Sequence, residues 1–128
     1  MPKKQKVDPI GIPNVNFTVE VPGAPKKFLA KWRSQRLKRG FDDTELYNLD
    51  TTIARFLAPR LRALRESTCS YPSGLTMRTW KSYLKKMERA FELYADKFNW
   101  SSRKERGNIR KVDEGLGLFH AYFYDLWW

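Results

Sequence analysis

From Pro25 onward the apolar residues recur at helical spacing, and before it they do not. Phe28, Leu29 and Trp32 share one face of a predicted first helix running from about Pro25 to Arg39. Gly40 supplies its stop, and Pro25 suits a first helical turn. Asp42 with Glu45 three residues on has the capping-box arrangement and opens a second helix. Leu46, Leu49, Ile53, Phe56, Leu57, Leu61 and Leu64 predict its buried stripe, with Pro59 inside it as a kink. Residues 66–75 read as a loop. A third helix starts at Thr76 and buries Met77, Trp80, Leu84, Met87, Phe91, Tyr94 and Phe98. A fourth starts at Ser102, capped through Glu105. Its seam is Ile109, Val112, Leu116, Phe119, Phe123 and Leu126. Gly115 and Gly117 weaken that helix unless a neighbouring helix approaches closely.

The first 25 residues follow a different pattern. Five of the seven prolines lie there, so the segment is an extended arm. Within it Val15, Phe17, Val19 and Val21 alternate with polar residues, the period of one half-buried strand. A lone strand is unstable. It would pair with a second copy through residues 15–21, or lie along the helices. The prediction is a mainly α protein: a small bundle of about four helices (residues 26–128) behind an extended, proline-rich, basic arm (residues 1–25).

Composition fits one folded domain. The chain has 128 residues, 41% of them hydrophobic and 15% aromatic, which supplies a core. The single cysteine, Cys69, excludes an intramolecular disulfide and a cysteine-built zinc site. The start, MPKKQKVDP, has no apolar run after its lysines and does not read as a signal peptide. No stretch approaches a membrane helix, so no membrane partner is expected.

Charge changes the picture more. The net charge is +11, and it is uneven. Residues 1–40 hold ten Lys/Arg against Asp8 and Glu20, while residues 41–128 hold 15 against 12. Such asymmetry suits an acidic partner, nucleic acid first and an acidic host protein next. The first helix carries most of it: Lys26, Lys27, Lys31, Arg33, Arg36, Lys38 and Arg39. Lys27, Lys31 and Lys38 form a stripe that can follow a phosphate backbone, and the arginines can grip phosphate bidentately. Trp32 and Phe28 can stack on bases. Against this stands the plainer reading, in which the two aromatics are core and the lysines are merely solvated.

Other chemistry is sparse. Asp50 points with Leu46, Ile53, Leu57 and Leu64 on the helical wheel. A carboxylate there needs a partner, so it is a structural polar lock or a pocket residue. A pocket for a phosphorylated nucleotide would combine Asp50 and Arg60 with Tyr47 or Trp80, and His120 beside them. His120, the only histidine, lies at the edge of an apolar stripe and reads first as a packed residue. No phosphate loop, dinucleotide fingerprint, nucleophile elbow or metalloprotease motif is present. No catalytic residue, cofactor or metal is expected.

Three segments carry a resemblance: GFDDTELYNLDTTIARFLAPRLRALRE, YPSGLTMRTWKSYLKKMERAFELY and EGLGLFHAYFYDLWW. Over residues 40–66 and 72–128 the chain resembles a family of small uncharacterised bacteriophage and prophage proteins. The shared steps are Gly40–Phe41, Leu49–Asp50, Pro59–Arg60–Leu61, Leu75–Thr76 with Trp80, and Gly115 to Trp127. The chain departs from the pattern in its third-helix lysines and Arg78, where such proteins are often acidic, and in its arm. The resemblance implies a phage protein acting in the host bacterial cytoplasm, or carried in the virion. It makes Asp50 and Pro59–Arg60 fold signature. The leading expectation is a non-enzymatic accessory protein that binds nucleic acid or a nucleic-acid-bearing host complex, such as a defence system. A nucleotide-sequestering protein and an assembly component docking through its arm are the alternatives.

Overall fold

Helix α1 spans Lys26–Arg39. The carbonyl of Pro25 accepts from the amides of Phe28 and Leu29 and so opens the helix. Gly40 closes it in the left-handed conformation (φ 83°), its amide donating to the Arg36 carbonyl. Only glycine adopts that φ without a steric cost. The computed structural model describes residue 17 and residues 21–127, so the strand predicted at 15–21 and most of the arm lie outside the described residues.

The predicted second helix is two helices. Helix α2 is one turn, Thr44–Tyr47, and α3 is Leu49–Ser67. Asn48 leaves the helical conformation between them (φ −133°, ψ 63°). The break is satisfied locally. The Asn48 carbonyl accepts from the Thr52 amide and starts α3, while the Thr52 hydroxyl donates to the Glu45 carbonyl left over from α2. α3 continues through Pro59 to Ser67. α4 spans Met77–Ala95, and the Thr76 hydroxyl caps it by accepting from the Thr79 amide. α5 spans Ser102–Ala121. Single 3₁₀ turns, Lys97–Asn99 and Phe123–Asp125, follow α4 and α5. The protein is mainly α, and no strand occurs among the described residues. No described helix is long and apolar enough to cross a membrane.

The chain divides into two compact units, Met1–Thr52 and Ile53–Trp128, with the boundary inside α3. In the second unit α3, α4 and α5 share a core of Ala54, Ala58, Leu61, Trp80, Leu84, Met87 and Phe91. Leu57, Leu64, Leu118, Phe119 and Tyr122 pack around it. Trp80 meets the Tyr122 ring edge-on at 5.6 Å, and Phe91 meets Phe119 at 5.3 Å. Arg65 reaches the buried Glu88 across α3 and α4 at 3.0 Å.

Several predicted core positions face outward instead. Leu46, Leu49, Ile53 and Phe56 are exposed, and alanines 54 and 58 take the inward positions. The break at Asn48 ends the continuous wheel on which that stripe was drawn. On α5 the seam turns: Val112 and Gly115 are buried, while Ile109, Leu116 and Phe123 are exposed. Ser101, not Ser102, precedes α5, and its side chain makes no capping bond, so the predicted capping box is not formed. Phe98 lies in the turn after α4 with 76% of its surface exposed.

Gly115 explains the turned seam. A β-carbon there would overlap the Ala90 methyl and come within 2.9 Å of the Lys86 carbonyl. α5 therefore approaches α4 by its glycine, and Lys86 ties to Glu114 at 2.8 Å beside the contact. Gly117 has nothing within 4 Å and no such role.

Candidate nucleic-acid interface

α1 contains seven Lys/Arg and no Asp or Glu. At 3.6 residues per turn they fall into two groups. Arg36 and Arg39 lie with Trp32 and Gln35 on one side. Lys26, Lys27, Lys31, Arg33 and Lys38 spread over an arc of roughly 160° on the other.

The first group builds a corner within the first unit. Arg36 Nη1 donates to Asp42 Oδ2 at 2.7 Å, and the Asp42 side chain is fully buried. Asp42 Oδ1 accepts from the Thr44 amide at 2.8 Å and from the Thr44 hydroxyl. Glu45 Oε2 accepts in return from the Asp42 amide at 2.7 Å. This is the reciprocal arrangement of a capping box, centred on Asp42 as predicted, with an arginine added from α1. A carboxylate buried to this degree is tolerable because each oxygen is matched.

Asp43 makes a second, more exposed set of contacts. Gln35 Nε2 donates to Oδ2 at 2.9 Å, Arg39 Nη2 donates to Oδ1 at 2.9 Å, and the Lys31 ammonium stands 3.6 Å away. The hydrogen bond from Gln35, then that from Arg39, holds the Asp43 carboxyl below its usual range; Lys31 acts in the same direction and partial burial opposes it. The Arg39 guanidinium also lies over the Phe41 ring at 4.3 Å.

Three of the predicted binding residues are thereby reassigned. Arg36 is committed to a buried carboxylate, and Arg39 to Asp43 and Phe41. Trp32 is buried beside Phe28, ring centroids 6.1 Å apart, and offers no face to a base. The physical reason is common to all three: they occupy the inner side of α1, which the wheel of a nearly uniformly basic helix does not reveal. Lys26, Lys27, Lys31, Arg33 and Lys38 remain on the exposed side. Lys27 reaches over the Phe28 ring at 5.3 Å, and Lys26, Arg33 and Lys38 make no ion pair among the described residues.

The predicted pocket residues do not share a setting. Asp50 is exposed in the first turn of α3, where a carboxylate complements the helix dipole, so it is no buried lock. Tyr47 is exposed on α2. Arg60 lies over the exposed Phe56 ring at 3.8 Å and donates to the Phe56 carbonyl. His120 is exposed near the end of α5, not packed. Trp80 is core, 1% exposed, and cannot stack on a ligand there. No group of three or more His, Cys, Asp or Glu able to hold a metal occurs among the described residues.

The positioning residues that the sequence reading leaves out are Gln35, Asp43 and, beyond its role as a cap, Asp42. A signal for them exists. The two acids follow a glycine stop directly after Arg36, Lys38 and Arg39, and a chain reversing at Gly40 returns acids toward those cations. Compared with known protein families, with characterised proteins and with solved structures, the chain matches none.

Proposed function

We propose that the protein is a non-enzymatic nucleic-acid-binding protein that meets the phosphate backbone through the outer side of α1. The supporting observation is the division of the helix. Two arginines and a tryptophan anchor it inward, which leaves Lys26, Lys27, Arg33 and Lys38 on the outer side without an ion pair among the described residues, with Lys31, which faces Asp43 at 3.6 Å, at its edge. Lys27 and Lys38 lie about 16 Å apart along the axis, enough to span several phosphates. Anchoring fixes the helix, so ordering it on binding costs little. We read the resemblance of residues 40–66 and 72–128 to small phage proteins as pointing to an accessory role in an infected bacterial cytoplasm, on nucleic acid itself or on a nucleic-acid-bearing host complex such as a defence system.

Fluorescence anisotropy with labelled DNA and RNA across a salt series tests this. Each duplex phosphate neutralised contributes about −0.9 to the slope of log K against log salt, so three to five contacts give roughly −3 to −4.5. The triple change Lys27→Glu, Lys31→Glu, Lys38→Glu should abolish duplex binding while the helical circular dichroism stays. Unchanged binding in that variant overturns the reading.

A further inference from the structure

The turn between α4 and α5 and the first half of α5 form a second cationic surface, in the other compact unit. Residues 97–111 contain six Lys/Arg and one acid, Glu105. Arg103, Arg106 and Arg110 follow one another at spacings of three and four, so they make one ridge along α5. All three are exposed and none forms an ion pair among the described residues. The buried side of α5, Val112 and Gly115, lies roughly opposite, so the ridge faces solvent. Asp113 and Glu114 follow Arg110 at its far end, and Glu114 is paired with Lys86.

Phe98 precedes this ridge by five residues along the chain and is 76% exposed. Its spacing from Tyr94 puts it on the predicted apolar stripe of α4, yet the helix ends at Ala95 and the ring projects from the 3₁₀ turn. The turn is held from below: Trp100 Nε1 donates to the Leu93 carbonyl at 3.0 Å, and the Lys97 ammonium donates to the Tyr94 hydroxyl at 3.1 Å. Lys97 also sits 5.2 Å from the centre of the Phe98 ring. An exposed aromatic ring on a fixed turn, with cations beside it, is a stacking platform. Bases in a duplex keep their faces against one another. Only an unpaired strand presents a free base to such a ring.

We infer that Phe98 and the Arg103–Arg106–Arg110 ridge bind single-stranded nucleic acid, the ring stacking on one base and the arginines following the phosphates beyond it. The inference rests on the proposed nucleic-acid function but not on α1, and it names the form of the strand. DNA and RNA share this chemistry, so both are used as probes.

The test is anisotropy with a 20-nucleotide DNA and RNA of one sequence, each as single strand and as duplex. The single strands should bind more tightly. Phe98→Ala should weaken single-strand binding roughly tenfold or more and leave duplex binding unchanged. Phe98→Trp should restore it. Arg103→Glu, Arg106→Glu, Arg110→Glu should reduce the single-strand salt slope by roughly 2, about 0.7 for each phosphate lost. These side chains are exposed, so the thermal melt should not move. The same oligonucleotides are applied to the α1 triple variant. If that variant loses all binding while Phe98→Ala binds both forms as the parent does, the inference fails and the α1 reading stands. If it binds the single strand fully and the α5 changes abolish this, α1 is not the interface and the inference stands. Equal affinity for single strand and duplex, both indifferent to Phe98, overturns the inference.

Discussion

Replacing Gly115 by alanine should destabilise the protein, although alanine is the better helix former. Two effects oppose each other. In a helix interior the change from glycine gains about 1 kcal/mol of intrinsic propensity. The added methyl, however, would overlap the Ala90 side chain and stand 2.9 Å from the Lys86 carbonyl. Ala90 has no torsion by which to withdraw its methyl, and the carbonyl belongs to a hydrogen-bonded helix, so α4 and α5 must separate. Overpacking of this kind costs roughly 1–3 kcal/mol, occasionally more. Separation also strains the adjacent Lys86–Glu114 pair and the Phe91–Phe119 contact. The net expectation is a loss of up to about 2 kcal/mol, or a few degrees in Tm. Gly117→Ala is the internal reference, because nothing lies within 4 Å of its added methyl. It should gain up to about 1 kcal/mol. Urea denaturation of both variants, followed by far-ultraviolet circular dichroism, reads the two signs. If Gly115→Ala stabilises as much as Gly117→Ala, the close approach of α5 to α4 is wrong.

Two more predictions concern the α1 corner. Arg36→Ala leaves the fully buried Asp42 carboxylate without its cation and should cost about 3–5 kcal/mol, with amide exchange at residues 42–45 accelerating most. A loss below about 1 kcal/mol would make the pair no better than a surface salt bridge. Asp43 should give an acid limb to stability. Its folded-state pKa is depressed, so its contribution is present above its ordinary value of 3.8 and is lost as pH falls through the depressed one. Asp43→Asn should flatten the fall in Tm below about pH 4, and identical acid limbs in the two proteins would refute the assignment.

Within the candidate interface, the sequence located the helix and its charge but not their division of labour. Arg36 and Lys38 differ by two positions and carry the same charge. One is matched to a buried carboxylate, and the other is exposed. The difference lies in Asp42 and Asp43, which the reversal at Gly40 brings back to α1. A one-dimensional wheel shows seven cations and cannot say which three will face a carboxylate. Phe98 is the converse case. Periodicity assigns it to the core, and the end of α4 three residues earlier puts it in solvent.

What the sequence by itself determined is the set of features that depend on neighbours along the chain. The left-handed stop at Gly40, the caps at Asp42 and Thr76, and the loop after Ser67 each rest on a hydrogen bond or torsion within a few residues. Such terms are legible without knowing the fold, although the cap predicted at Ser102 and Glu105 is not formed. The predicted side of α4, with Trp80, Leu84, Met87 and Phe91, is the buried one, whereas on α3 and α5 the tertiary structure decided which side is buried. On α3 and α5 large apolar residues lie on more than one side. The choice goes to the arrangement that packs most closely, and close packing favours small residues. Ala54, Ala58, Ala90 and Gly115 lie at the contacts, while Ile53, Phe56, Ile109 and Leu116 are left outside. Small residues add little to a hydrophobic pattern but allow two helices to approach. Their importance is a property of the pair of surfaces, and it is absent from either helix read alone.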